Sequence, residues 1–563
     1  MIYTGLTCLA AMALVALISW RMARENTATS DGYFLAGRGL GGVFIAGSLL
    51  LTNLSAEQLI GLNGSAYGYN LSSMAWEVTA AVATIAMALI FLPKYLAGAF
   101  TTLPQFLADR YDAGVQRMSA VLFLFGYGLV TIPSVLYAGS IAVMKIFEVP
   151  ELFGISDFAA LVATVLVIGI TGAIYAVFGG LKAVAVSDTI NGIGLLVMGI
   201  LVLALGIYAL GGGEWIKGLV TLTQENPEKL NAIGGADDPT PFGTIFTGMV
   251  IANLFYWCTN QYVIQRTLAA RNLAEGQKGV LLSGFFKVFV PFLMMVPGVI
   301  AYHLYGPGLA TIDLAYPTLI RDVLPPALMG LFLAVLLGAV FSSFNSLINS
   351  AATLFCLDIL PAIRKAPMSD TAIVRVAKIA SVIIALFSFA AAPMLYFAPD
   401  GLWQIIRIFT GFYNIPVITI VLVGLFTRRV PALGAKLVII FHIIAYGLAK
   451  FVFDDIITIH FLHLYAVLFV IEVAIMLITA KFAPRKEAWT FQPNAKVDMK
   501  PWGHAFPVSV SLFSAVVATY LLFSPLGLAS GGLGLGFGLA ISALALVNIV
   551  VWWRSSAKLR AGL

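Results

Sequence analysis

The chain has 563 residues, of which 60% are hydrophobic and only 10% charged, and its mean hydropathy is +0.98; a soluble domain carries about 25% charged residues. That composition excludes a sizeable soluble domain and, at roughly 20 apolar residues per crossing, leaves room for about fifteen membrane helices joined by short loops. The formal net charge of +6 is explained by loop lysines and arginines, so the expected partner is the lipid bilayer and no nucleic acid.

In chain order, apolar runs predict helices at 2–20, 44–66, 75–97, 118–144, 158–178, 183–210, 243–263, 279–303, 325–357, 372–396, 402–427, 432–453, 458–480, 505–524 and 532–553. The first run lacks a basic leader and a small-residue cleavage site, which predicts a retained helix rather than a signal peptide. With the N-terminus outside, every second loop faces the cytoplasm, and those loops hold 25 of the 32 lysines and arginines, as the positive-inside rule requires. An odd helix count then puts the C-terminus in the cytoplasm. The loop 211–242 is turn-rich, and 481–504 reads as a basic cytoplasmic loop. Cys8, Cys258 and Cys356 lie in apolar runs and read as small buried hydrophobes. No HExxH, P-loop or nucleophile elbow follows a predicted strand, so neither enzyme chemistry nor an organic cofactor is expected.

Hydrophilic residues recur where lipid should forbid them. The second helix carries Thr52-Asn53-Leu54-Ser55-Ala56-Glu57-Gln58 and the seventh Asn253-Leu254-Phe255-Tyr256-Trp257-Cys258-Thr259-Asn260-Gln261; runs this polar suit helices unwound around a ligand, because irregular backbone at depth is tolerated where it lines a cavity. These are the first helices of two groups of five, 44–210 and 243–427, the arrangement of an inverted repeat. The remaining divisions are 1–43, the loop 211–242 and accessory helices in 428–563. Glu77, near the start of the third helix, is either an interfacial carboxylate or the partner of a buried cation. Asp188, about 9 Å inside the sixth helix, either draws a cation inward or pairs near the interface. Lys287, nine residues past Lys278, lies about 13 Å into the membrane, where a charge costs a few kcal/mol or more unless paired or facing water. Ser342, Asn345, Ser346 and Asn349 form one stripe on the ninth helix; this is either interhelical hydrogen-bonding glue or a set of oxygen ligands for a small hard cation. Arg407 is similarly deep, unless its long side chain snorkels.

Asp31-Gly32-Tyr33-Phe34-Leu35-Ala36-Gly37-Arg38, Thr52 to Gln58 with Ile60-Gly61, Tyr256-Trp257 and Asn260-Gln261-Tyr262-Val263-Ile264-Gln265-Arg266-Thr267-Leu268-Ala269 resemble the solute:sodium symporter family, nearest to its bacterial sodium/galactose branch. The resemblance covers roughly residues 30–480. It implies an all-α polytopic membrane fold with a LeuT-like core of five plus five inverted helices, one extra N-terminal helix and about four extra C-terminal ones. It further implies a bacterial inner-membrane symporter that carries a sugar or sugar-like solute with co-transported sodium. Carried over position by position, solute would meet Gln58, Glu77, Asn253 and Lys287, with Asn53 and Asn260 close by. Tyr256 matches the inner gate beside Trp257, and Leu62, Trp76 and Trp403 match the outer one. Sodium would be held by the carbonyls of Leu51, Leu54 and Ala339 and the hydroxyls of Ser342 and Ser343, leaving past Asp188. Two departures stand out: Arg407 replaces a sugar-touching glutamine and Ala80 a sugar-touching serine. Lys287 and Arg407 against Glu77 leave one surplus positive charge, which raises an acidic or sulfated sugar, or another organic anion, as an alternative cargo. A channel or solute sensor on the same core is the remaining alternative.

Overall fold

The computed structural model describes residues 2–23, 30–309, 312–364, 368–397, 402–453 and 456–560; the side chains of Trp403 and Arg407 lie outside the described residues. The described chain is helical, with two isolated bridges, Leu40 to Ala270 and Asn272 to Asp498, in place of any sheet. We label the main helices α1 (Ile2–Ala23), α2 (Gly42–Asn53), α3 (Ala56–Gly68), α4 (Leu71–Ala97) and α5 (Ala113–Ile141), and α6 (Asp157–Leu210). There follow α7 (Gly248–Cys258), α8 (Gln261–Leu268), and α9 (Leu273–Tyr305), α10 (Pro326–Ile363) and α11 (Asp370–Phe397). The last are α12 (Leu402–Phe426), α13 (Ala432–Phe451), α14 (Phe461–Phe482), α15 (Ala505–Leu522) and α16 (Leu535–Arg560).

Among the described residues 13 helical spans are long and apolar enough to cross a membrane, or 14 when the bent pair α2 and α3 is one span. The short α7, continued by α8, fills the place of the expected seventh helix. Two neighbouring expected helices, 158–178 and 183–210, fall instead within the single helical run α6, 54 residues long. A straight rod of that length would reach about 80 Å. Its two halves, Asp157–Ile174 and Val184–Leu210, are each long and apolar enough to span, and both meet α10, Gly172 at Phe344 and Asn191 at Gly338.

Two helices are broken, and both breaks fall where polar runs interrupt the apolar pattern. Between α2 and α3 the axis turns by 59°, with Leu54 (ψ 82°) and Ser55 (ψ 168°) leaving helical geometry. Between α7 and α8 the chain opens at Thr259 and Asn260, whose ψ is 116°. Each broken helix heads a group of five, and α2 packs against both α8 and α9. Close approach is bought by small residues: the Gly298 backbone of α9 lies against the Asn63 carbonyl of α3, where any side chain would collide.

Around this core, α1 packs on α10 and α6, α13 and α14 pair beside α12, and α15 rests on α9 and α4. The outermost helix, α16, is tied to α15 by Asn548, whose side chain bonds Ser511 and Ser514, and by Trp552. The segment after α14 runs as an extended strap: Trp489 N–H bonds the Arg428 carbonyl (2.8 Å), Asn494 N–H bonds Ala97 (2.7 Å) and Leu273 N–H bonds Asp498 (2.9 Å). The loop expected at 211–242 contains a further helix, Trp215–Gln224, and Lys229 reaches back to the Tyr67 carbonyl at 3.0 Å.

Candidate functional site

Both helix breaks open onto one cavity of about 180 Å³. From the α2–α3 break come Asn53, Ser55 and Gln58; from α4, Trp76 and Glu77; from α7 and the break after it, Asn253, Tyr256, Trp257 and Asn260. Leu62 and Ser343 complete the expected residues on its wall. Broken helices suit this place because their freed backbone groups need a polar or ligand-filled neighbour.

The wall's polar groups divide into paired and unpaired. Asn253 Nδ2 donates to Thr79 Oγ1 at 2.8 Å, and the Tyr127 hydroxyl donates to Asn260 Oδ1 at 2.5 Å. The Tyr262 hydroxyl donates to that of Tyr256 at 2.8 Å, closing one end with aromatic edges. At the other end Trp76 stacks on Phe461 with centroids 6.5 Å apart. In contrast, Asn53 Oδ1, Gln58 Oε1, Asn414 Oδ1 and the Ser343 hydroxyl are buried with no partner in the protein. Buried polar atoms left open cost about 1–3 kcal/mol each, a cost that ligand contacts would offset.

Lys287 does not reach the wall. Its ammonium is fully buried behind Glu77, to which it is salt-bridged, and it sits 5.6 Å from the Trp257 ring centroid. The pair is neutral, so the lysine's charge reaches the cavity only through the Glu77 carboxylate.

Beside the α2–α3 break lies a second set of oxygens. Ser342 and Ser343 on α10 are buried; the Ser343 hydroxyl has no partner, and the Ser342 hydroxyl interacts with the Asp188 carboxylate. Leu51, Leu54 and Ala339 are buried on the same two helices. No group of three or more His, Cys, Asp or Glu gathers among the described residues; the donors available here are hydroxyls and main-chain carbonyls, which suit a hard monovalent cation as cargo. Asp188 on α6 accepts from the Ser48 hydroxyl at 2.7 Å and also interacts with the Ser342 hydroxyl.

Three parts of the site, and one buried arginine outside it, escaped the sequence reading. Arg266, counted above among cytoplasmic loop residues, is fully buried; it donates to the Tyr262 carbonyl at 2.5 Å and to the Ser346 hydroxyl, within electrostatic range of Asp188. Arg110 is likewise buried, its guanidinium bonded to the carbonyls of Gly424, Val430 and Thr427. Thr410, Tyr413 and Asn414 of α12 line the cavity; their signal was present, because Arg407, Thr410 and Asn414 are spaced i, i+3, i+7. Phe461 and Tyr465 of α14 also line it, and nothing local distinguishes these two aromatics from the rest of an apolar helix.

An internal chamber reached by two broken helices, with unpaired oxygens at its edge, defines a membrane transporter rather than an enzyme or a lipid-packed bundle. Residues 33–442 match the Sodium:solute symporter family, and the chain belongs to that family. Accordingly it is a multi-pass membrane protein and a sodium-coupled secondary transporter of a small organic solute. It is 43% identical to the uncharacterized symporter YidK of Escherichia coli (strain K12), over 96% of this chain and 93% of that one. It is 30% identical to the sodium/glucose cotransporter of Vibrio parahaemolyticus, over 75% and 80%. Its fold matches the solved structure of a Na+-coupled sialic acid symporter in a substrate-bound outward-open state, with a TM-score of 0.75 and 21% identity over 86% of this chain and 98% of that one. The core is therefore the LeuT-like five-plus-five inverted repeat, here α2 to α12, with one helix before it and four after it.

Proposed function

We propose that this protein carries a hydroxyl-rich, sugar-like solute bearing an acidic group into the cytoplasm, together with sodium, by alternating access. The sugar-like character is supported by the open amide oxygens of Asn53, Gln58 and Asn414, acceptors placed for hydroxyl donors, and by the kinship with a sodium/glucose cotransporter. The acidic group rests on one observation. The Lys287–Glu77 pair closes on itself, and the sequence adds a further cation, Arg407, three and seven positions before Thr410 and Asn414, two cavity residues of the same helix. A buried surplus charge is costly unless an anion meets it.

In this reading Gln58, Glu77, Asn253, Asn53, Asn260 and Arg407 meet the solute, Lys287 acts through Glu77, and Tyr256 with Trp257 forms the inner gate. Leu62, Trp76 and Trp403 form the outer gate. Sodium binds to the carbonyls of Leu51, Leu54 and Ala339 and the hydroxyls of Ser342 and Ser343, stabilising the outward-open state by binding it more tightly, and leaves past Asp188. The moving halves are 44–210 and 243–427, with 1–43, 211–242 and 428–563 as accessory parts. The membrane is a bacterial inner membrane, with the N-terminus outside and the C-terminus in the cytoplasm.

The test is sodium-dependent thermal stabilisation and counterflow in proteoliposomes against neutral hexoses, inositols, uronates, sulfated sugars and sialic acid, with the wild type and Arg407→Gln. The wild type should prefer anionic solutes at least about tenfold, which is about 1.4 kcal/mol, and the variant should lose that preference. Unchanged relative affinities in Arg407→Gln sink the acidic cargo, and counterflow absent for every solute sinks transport itself.

A further inference from the structure

A second cavity, of about 510 Å³, opens on the outer surface between α5, α10 and α11. Its wall is apolar throughout: Leu124 and Gly128 of α5, Ala351 and Phe355 of α10, and Ile379 and Ile383 of α11. Those two isoleucines are 53% and 61% exposed, so in a membrane protein the groove faces lipid.

What distinguishes this groove from ordinary lipid-facing surface is its charged end. Arg117 falls on the stripe of Leu124 and Gly128, at i, i+7 and i+11, about 10 Å before Leu124 along α5. Arg364 follows the groove residue Leu360 by one turn, its N–H bonded to the Leu360 carbonyl at 2.8 Å. Arg375 precedes Ile379 by one turn of α11. All three arginines are exposed, and they lie at the ends of α5, α10 and α11 that bound the groove's nearer half. Asp358, the carboxylate between Phe355 and Leu360, points inward, accepting from Thr102 (3.0 Å) and Gln116 (2.8 Å), and is buried. It therefore does not offset the three guanidiniums.

We propose that this groove binds an anionic phospholipid, one acyl chain lying in the apolar trough and the phosphate held by Arg117, Arg364 and Arg375. Guanidiniums favour phosphate because their planar fork matches its oxygens, and basic clusters between membrane helices beside an apolar cleft select anionic headgroups. The site adjoins the transport machinery. Gly128 belongs to the π-helical turn Tyr127–Thr131, whose Tyr127 bonds Asn260 and whose Thr131 lines the solute cavity. Phe355 opens a second such turn, Phe355–Ile359. A π-turn disturbs the regular helix surface and recurs at functional positions; here it leaves one helix wall between lipid and solute.

The experiment uses the full chain in detergent, with bound lipid read by native mass spectrometry and thermal stability measured beside it. Dioleoyl phosphatidylglycerol is compared with dioleoyl phosphatidylcholine and with soluble glycerol phosphate. Phosphatidylglycerol should be retained and stabilising, in preference to phosphatidylcholine. The triple variant Arg117→Gln, Arg364→Gln, Arg375→Gln should lose at least about fivefold of that preference, the size of one basic residue at a membrane surface. A charge-matched control, Lys481→Gln, Lys486→Gln, Arg554→Gln, should retain it. At Gly128 nothing lies within 4 Å of an added Cβ, so Gly128→Leu projects its side chain into the trough and should reduce retention of both lipids. Equal retention of the two lipids, an unchanged preference in the triple variant, an equal loss in the control, or equal stabilisation by glycerol phosphate each overturns the proposal.

Discussion

Two polar clusters at membrane depth each include a residue of α12, and they differ in one respect. At the cavity, Asn414 Oδ1 joins Asn53 Oδ1, Gln58 Oε1 and the Ser343 hydroxyl in having no protein partner. In the second cluster, His442 of α13 and Glu472 of α14 are fully buried and fully engaged. His442 Nδ1 is 2.5 Å from Glu472 Oε1, its Nε2 is 2.9 Å from the Gly411 carbonyl, and Thr419 Oγ1 is 2.7 Å from the other Glu472 oxygen. A polar group buried and paired holds helices together; one buried and left open waits for something the chain does not supply. The Lys287–Glu77 pair stands between the two, since it is engaged yet presents Glu77 to the cavity.

The largest effect expected from this comparison is at that intermediate pair. Lys287→Met leaves a buried carboxylate alone and should cost about 3–5 kcal/mol, read as a fall in thermal stability without ligands. Adding Glu77→Gln should recover most of it while solute-dependent stabilisation stays lost. A double variant that responds to solute like the wild type would move Glu77 into the purely structural cluster. Next, His442→Ala leaves one Glu472 oxygen without its partner, for a loss of about 1–3 kcal/mol, with solute and sodium affinities within about twofold of wild type once stability is restored by lower temperature. A selective loss of solute affinity would break the distinction drawn here. Ser343→Ala should behave in the opposite way: stability without sodium within about 0.5 kcal/mol of wild type, but sodium affinity lowered about tenfold, or 1.4 kcal/mol. The readout is the slope of melting temperature against sodium concentration, and an unchanged slope removes Ser343 from the cation's ligands.

The same contrast explains what could be read beforehand. Helix positions were legible because lipid forces every span to be long and apolar, and the two breaks because polar runs such as Thr52 to Gln58 have no other use there. Pairing was not legible. A lone Lys287 and a lone Glu77 are separated by 210 positions, and only the fold brings them together. Arg266 was misplaced for a related reason: its neighbours in sequence are polar, and a charge count near a helix end does not tell an arginine snorkelling to water from one turned inward onto Ser346. His442 and Glu472 went unremarked because each sits singly in an apolar helix, the pattern of an isolated buried group. Phe461 and Tyr465 lie outside the ten-helix core, so no core motif drew attention to them.

The smallest effect serves as the control for this contrast, because it concerns an ion pair that water can reach. Lys436 Nζ lies 2.6 Å from Asp112 Oδ2, with the two side chains 35% and 40% exposed. Burial pushes the Asp112 carboxyl up, but the bonds from Lys436 and the Val115 N–H outweigh it and hold the group below its ordinary value. A carboxylate with a lowered folded-state pKa contributes stability above its unfolded pKa, and that contribution fades as pH falls through the folded value. Asp112 also caps α5 by accepting from Val115 N–H at 2.8 Å, a role asparagine performs as well. Asp112→Asn therefore isolates the charge, and should cost about 0.2–1 kcal/mol near pH 7. The gap between variant and wild type should close both on acidification toward about pH 3 and in about 1 M salt. A gap that survives acid and salt alike would mean that packing, not charge, joins α13 to the start of α5; the contrast between exposed and membrane-buried pairs would then need a different control.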